Sequence, residues 1–533
     1  MSYFHWQSAK PQMARDYMIA AEHPLAVQGG LSVLAAGGNA MDAAVATAAI
    51  SWVVMPDMCG PGGDVFIIGH QAGKPWALNG SGEAPANAKA SVFTRLGLRQ
   101  MPLDGLLSVA VPGAVAGLLE AHARFGSLPL AKLLEKAVFY ADRGFPVSYR
   151  LSNSIMNQRA KLEKFPEAAA LFLPGGRPLR PGEILRQPDL AVTLKTMAQE
   201  GIEPFYRGEI ARKLLELSQR EGGLFSGEEL AAHESEFYEP LSISYRGYTV
   251  HQNRPPSQGM IMLEALNILE NFPLSSLGFD DPDRVHLIAE ALKIAFHDRN
   301  KWAGDPRLVD FPLDRLLSAD YAQSRAKDIN PNQACCYNGP SAKGDTTSFV
   351  IVDAEGRGIS FIHSNSIPFG SGVIIPSTGI LLNNRAGRGF TLQEGHPNCI
   401  APGKRTMHTL NTYIVTKEDK LWLLGNTPGG DGQVQWNVQV LSSLIDHNYN
   451  PQQAAGAPRC QVFPGTDPAD QGKPPVLFLE EGFSEETGDW LASRGHKVCW
   501  TAQGGGAVQL IQVEEGLLLG GSDPRSEGLA LGS

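Results

Sequence analysis

From Pro24 to Met55 small residues alternate with Leu, Val and Ile at intervals of three and four, with a break at Gly37-Gly38. That period predicts two packed helices, and Asp42, in the first turn of the second, reads as a helix-start residue. Apolar runs bounded by Pro and Gly follow over 55–69 and 76–80, which predicts a hairpin of a central sheet. The chain then turns helical over 114–125, 130–142, 190–200, 208–220 and 283–300. Within the last of these, His297-Asp298-Arg299 reads as a capped, ion-paired stretch. Beyond residue 345 the strand pattern dominates, over 348–352, 358–362, 372–375, 411–415, 421–424, 508–513 and 517–520, with one helix over 433–446.

The change of period falls at Gly344-Asp-Thr-Thr-Ser-Phe-Val-Ile-Val-Asp353. Upstream, 331–345 is polar and rich in breakers and reads as an exposed loop; downstream, 347–352 is β-branched and apolar and enters a core. An Asp-Thr pair at that junction suits a chain that cuts itself. A threonine hydroxyl is a poor nucleophile without a base, and an N-terminal threonine carries its base in its own α-amine, with a pKa of about 7.7 to 8.0. In the intact chain that nitrogen is an amide, so cleavage between Asp345 and Thr346 creates the catalyst. Read without that event, the same residues are a polar loop before an ordinary strand.

Pro428-Gly-Gly-Asp-Gly432 lies between a strand and a helix, so its backbone N–H groups either face a developing oxyanion or close a tight turn. The thirteen histidines offer no His-Glu-x-x-His pair and no Cys/His cluster at metal spacing, so neither a metal-activated water nor a cofactor is expected.

Composition narrows the classes further. The 533 residues carry 45 basic and 55 acidic side chains, net −10, which gives no reason to expect nucleic acid or an anionic membrane surface. The longest apolar run, 43–55, falls short of the roughly 18 residues a membrane helix needs. Residues 1–22 lack the apolar core of a signal peptide, and six cysteines without paired spacing read as thiols. A soluble, cytoplasmic protein is the expectation.

Thr346-Thr-Ser-Phe-Val-Ile-Val-Asp353 resembles the Thr-Thr-His-Tyr-Ser-Val-Val-Asp that opens the small subunit of γ-glutamyltransferases, which are N-terminal-nucleophile hydrolases. The resemblance continues, in the family's order, through Gly37-Gly-Asn-Ala-Met-Asp-Ala-Ala44, Gly60-Pro-Gly-Gly63, Tyr245-Arg-Gly-Tyr248, Pro255-Pro-Ser-Gln-Gly259, Gly379-Ile-Leu-Leu-Asn-Asn384, Pro428-Gly-Gly430 and Ser522-Asp-Pro-Arg-Ser526. It implies an α+β fold, a four-layer αββα sandwich made jointly by a large fragment, 1–345, and a small one, 346–533. The partner it implies is therefore the chain's own second fragment. It also implies Thr346 as nucleophile and Gly429 and Gly430 as the oxyanion hole. Ser364 stands where the family has a supporting threonine.

Two departures bear on substrate. The family clamps an α-carboxylate with an arginine, and Ser81 occupies that position here, with Glu83 close by. An aspartate that holds the substrate ammonium is absent from Arg385-Ala-Gly-Arg388-Gly389, and His408-Thr409 replaces a serine pair. Losing one partner of a buried charge pair costs about 2 to 5 kcal/mol, so two lost clamps weaken a glutamyl substrate by orders of magnitude. A small anionic amide without an α-amino group fits the exchange, with Arg385, then Arg388 and His408, as partners for its carboxylate. Among branches of the family the chain looks most like oxamate amidohydrolase, which makes oxalate and ammonia in purine-derived nitrogen catabolism. Alternatives are a glutathione hydrolase or transferase, a glutaryl- or cephalosporin-type acylase, and an uncleaved, non-catalytic scaffold.

Overall fold

The computed structural model describes residues 6–335, 345–463, 475–502 and 504–533. Most of the candidate cleavage loop, 336–344, lies outside them. Strands β1 (Gln12–Ala14), β2 (Met18–Ala21), β3 (Asp64–Gln71), β4 (Lys74–Gly80), β5 (Glu236–Tyr238), β6 (Leu241–Tyr245) and β7 (Tyr248–Gln252) precede the Asp345–Thr346 bond. Strand β8 (Asp345–Val352) contains both residues of that bond. After it come β9 (Gly358–Ser366), β10 (Tyr413–Lys417), β11 (Lys420–Asn426), β12 (Gln509–Glu514), β13 (Leu517–Ser522) and β14 (Leu529–Gly532).

They form two seven-stranded sheets, ordered β14-β2-β8-β9-β3-β4-β5 and β1-β13-β12-β11-β10-β7-β6. Each sheet takes strands from both sides of residue 345, and β8 lies between β2 and β9, so neither fragment owns a sheet. The period of two in β8 explains its placement. Phe349 and Ile351 face one way, into a core shared with helices; Val350 and Val352 face the other way and meet Ile414, Leu424 and Ile511 of the second sheet. A strand buried on both faces needs apolar side chains at every position, as its sequence has.

Helices cover the outer faces. On the first sheet lie α1 (Pro24–Ala35), α2 (Ala40–Val54), α3 (Ala114–Phe125), α4 (Leu130–Arg143) and α5 (Tyr149–Asn157). On the second lie α6 (Gly259–Leu269), α7 (Pro282–Trp302) and α8 (Gly432–Ile445). The layer order is therefore αββα, as expected. Helix α2 is buried along its whole length, and Asp42 closes a capping box with Asn39 and accepts hydrogen bonds from Ser127, a structural role. Among the described residues no helix is long and apolar enough to cross a membrane.

The sequence pattern misplaces some elements. Residues 372–375 shrink to Ile374–Ile375, which pair with Ile380–Leu381 outside both sheets. Strands β1, β2, β5, β6, β7 and β14 are short or edge-lying and left no clear period. The ion pairing expected around His297 is tertiary: Arg299 reaches Asp431, and Asp298 accepts from Tyr321.

Candidate active site

Thr346 is buried near one end of β8, where the register with β9 slips between Asp345 and Thr347. That irregularity frees Thr346 from ladder pairing, and its hydroxyl donates to Ser364 Oγ at 3.1 Å. Ser364 Oγ also accepts the Ser366 N–H at 2.8 Å. Ser366 has φ +90, a conformation an L-residue adopts only under constraint, and in that bend its carbonyl accepts Arg388 Nη1 at 3.3 Å.

One strand further on, Asp64 is the register partner of Ser364. Its carboxylate is fully buried; Oδ2 accepts Arg385 Nε at 2.9 Å and His408 Nε2 at 3.1 Å, and Oδ1 accepts the Gly82 N–H at 3.3 Å. Burial alone would raise the Asp64 pKa, but the His408 hydrogen bond and the Arg385 charge hold it below its ordinary value. Burial, helped by Arg385, pushes His408 down to about 4, so its imidazole is neutral at working pH. The Leu410 N–H donates to His408 Nδ1, which leaves Nε2 to carry the proton.

These contacts revise the reading of the carboxylate partners. Arg385 is not a bare cation awaiting substrate, because Asp64, 321 residues away in sequence, already pairs with it. The acid missing from 385–389 is thus present in space. Arg385 Nη1 lies 3.4 Å from Thr409 Oγ1, and Nη2 is buried with no partner among the described residues. Ser81 gives its hydroxyl to Asn79 Oδ1 at 2.7 Å, closing a turn. The anion expected beside it, Glu83, is matched by Arg405, Arg307 and His233.

The glycine loop has the expected setting, between β11 and α8. Gly429 takes φ +122, and a Cβ there would lie 2.2 Å from the Trp436 ring, so only glycine fits. The N–H groups of Gly432 and Gln433 bond back to the carbonyls of Gly429 and Gly430, whereas those of Gly429 and Gly430 find no partner among the described residues. Gln258 Nε2 ties down the Gly430 carbonyl at 2.9 Å, and Arg299 bridges Gln258 and Asp431 at 2.5 and 2.6 Å. The loop is therefore pinned from α7, with two N–H donors presented at the start of a long helix.

Sequence reasoning missed Asp64, Gln258, Arg299 and Trp436. Asp64 follows Gly60-Pro-Gly-Gly63 and looks like a turn residue; the only hint was an acid entering an otherwise apolar strand. Folding also assembles a group that spacing could not show. His286, Glu290 and His496 bring possible ligand atoms within 4.8 Å of one another. The Lys293 ammonium already sits on Glu290 Oε1 at 2.6 Å, so a cation fills that position.

A buried, strand-borne threonine and a pinned glycine loop in an αββα sandwich define the N-terminal-nucleophile hydrolase class. The gamma-glutamyltranspeptidase family model matches residues 26–533, and the chain belongs to that family. Acylase ACY 1 proenzyme of Pseudomonas sp. is 37% identical over 97% of this chain and 94% of its own. A glutathione hydrolase-like proenzyme of Bacillus subtilis is 37% identical over 98% and 99%, and the oxamate amidohydrolase proenzyme of Klebsiella pneumoniae is 34% identical over 97% and 98%. The crystal structure of a cephalosporin acylase from Bacillus halodurans superposes with a TM-score of 0.92 at 36% identity, covering 100% of this chain and 98% of that one. The family supports a hydrolase acting on amide carbon–nitrogen bonds.

Proposed function

We propose that the chain cuts itself between Asp345 and Thr346, and that the freed Thr346 hydrolyses a small amide whose acyl part carries a carboxylate, oxamate being the simplest case. The observation that carries this reading is the buried Arg385, whose Nη2 has no hydrogen-bond partner among the described residues. A buried N–H donor without an acceptor is costly, so this position favours an added acceptor such as a substrate carboxylate. A γ-glutamyl group would also bring an ammonium, and the acid positioned to meet it, Asp64, is already taken by Arg385 and His408.

In this scheme the Thr346 hydroxyl attacks the amide carbonyl while the Thr346 α-amine takes its proton. The N–H groups of Gly429 and Gly430 stabilise the oxyanion, and the amine leaves with the proton. Water then resolves the ester and returns the proton. Both fragments stay together because β8 remains between β2 and β9 after the cut. With oxamate the products are oxalate and ammonia, a nitrogen-recovery reaction suited to the cytoplasm.

A second reading, an acylase for larger amides, is favoured by a cavity of about 370 Å³ beside Gly429, in the size range of pockets for drug-sized ligands. One panel separates the two. Purified protein is expected to run as two pieces on a denaturing gel and Thr346→Ala as one piece without turnover. Ammonia release from oxamate should exceed hydrolysis of a γ-glutamyl anilide. Faster hydrolysis of a glutaryl amide would establish the acylase reading, and cleavage plus turnover by Thr346→Ala would remove the nucleophile.

A further inference from the structure

Strand β2 stops pairing with β8 at Ala21, the partner of Phe349, and the chain then turns away into α1. The next ladder position is filled by a side chain. Glu22 Oε1 accepts the Ser348 N–H at 2.8 Å, two residues from Thr346, and Glu22 as a whole is only 3% exposed. Glu22 thus holds the nucleophile's strand where the backbone of β2 no longer does. It also lines the cavity of about 370 Å³ that Gly429 borders, together with Arg150, Asn157, Gly506 and Arg525.

We propose that Glu22 is a positioning residue for Thr346: neutral, it braces β8 through Ser348, and once ionised it places a negative charge in the cavity it shares with the oxyanion loop. This inference rests on Thr346 and Gly429 acting as described above. A carboxylate there opposes the charge that Gly429 and Gly430 are meant to stabilise. Burial raises the Glu22 pKa to about 8, against the Ser348 N–H and the Arg150 charge, so the change of state falls just above neutrality. The charged and titratable groups facing Glu22 are Arg150 of α5, clamped by Asp57; Asp523 and Arg525 after β13; His23, which caps α1; and the Cys59 thiol.

The test is the pH dependence of kcat on the best amide of the panel, oxamate or a glutaryl anilide, with self-cleavage followed on gels. Wild type should rise with loss of the α-amine proton, near about 7.7 to 8.0, and fall roughly tenfold per unit once Glu22 ionises. Glu22→Gln, a fixed neutral mimic, should process normally, keep kcat at pH 7 within about threefold and lose the alkaline fall. Arg150→Gln removes a cation that favours ionised Glu22, so it should move the fall to higher pH and decides the matter if the glutamine variant does not accumulate. A Glu22→Gln profile that falls in parallel with wild type, or an Arg150→Gln fall that stays in place, overturns the proposal. Loss of cleavage and turnover in wild type at every pH would instead overturn the nucleophile reading.

Discussion

Replacing Arg385 by alanine should damage two properties that a second substitution can separate. In the folded chain Arg385 pairs with Asp64, whose other titratable hydrogen-bond partner among the described residues is His408, neutral at working pH. Removing the guanidinium leaves a fully buried carboxylate without a counter-ion, which typically costs about 3 to 5 kcal/mol. It also removes the proposed partner of the substrate carboxylate, worth about 2 to 5 kcal/mol of transition-state binding, or roughly thirtyfold to several thousandfold in kcat/KM. Adding Asp64→Asn removes the orphaned charge while its amide oxygen still accepts the His408 N–H. The double variant should therefore regain most of the lost stability and none of the lost activity. Stability is measured by urea unfolding in the Thr346→Ala background, where the polypeptide stays in one piece, and kcat/KM by ammonia release from oxamate in the processed forms. If the double variant recovers kcat/KM along with stability, Arg385 acts through folding and the carboxylate partner lies elsewhere. If the single variant unfolds at the parent urea concentration, the Asp64–Arg385 pair does not carry the energy assigned to it.

Two other perturbations test the loop and the charge pattern. Gly429→Ala would place its Cβ 2.2 Å from the Trp436 ring at φ +122, so the loop must move and its N–H donors lose their aim; kcat should drop about a hundredfold to a thousandfold, as loss of one oxyanion donor does. Unchanged kcat in a correctly processed Gly429→Ala would show that the loop is not the oxyanion site. Burial pushes His408 and His251 down to about 4 and His363 and His496 down to about 3. The unfolded chain protonates such groups near pH 6.5 while the folded chain does not, so stability present above about 6.5 should be lost progressively as pH falls toward 4. A urea midpoint that stays flat from pH 7.5 to pH 5 would contradict that burial pattern.

The sequence by itself determined the elements whose period is long and whose chemistry is local. Thr346 at the mouth of an apolar strand, the turn at Gly429-Gly430 between β11 and α8, and the helical spacing of α2, α3, α4 and α7 follow from neighbours along the chain. Ser364 came from its position after Thr346, where the resembling family has a threonine. What only the tertiary structure decided is which distant groups share a site. Asp64 meets Arg385 across 321 residues and His408 across 344, and Glu22 meets Ser348 across 326, because strand order and register bring them together. The sequence could not show whether an arginine after Asn383-Asn384 was solvated, paired or waiting for a ligand. The answer depends on a carboxylate from β3, and a charge has a meaning in a buried site only once its partners and its access to water are fixed.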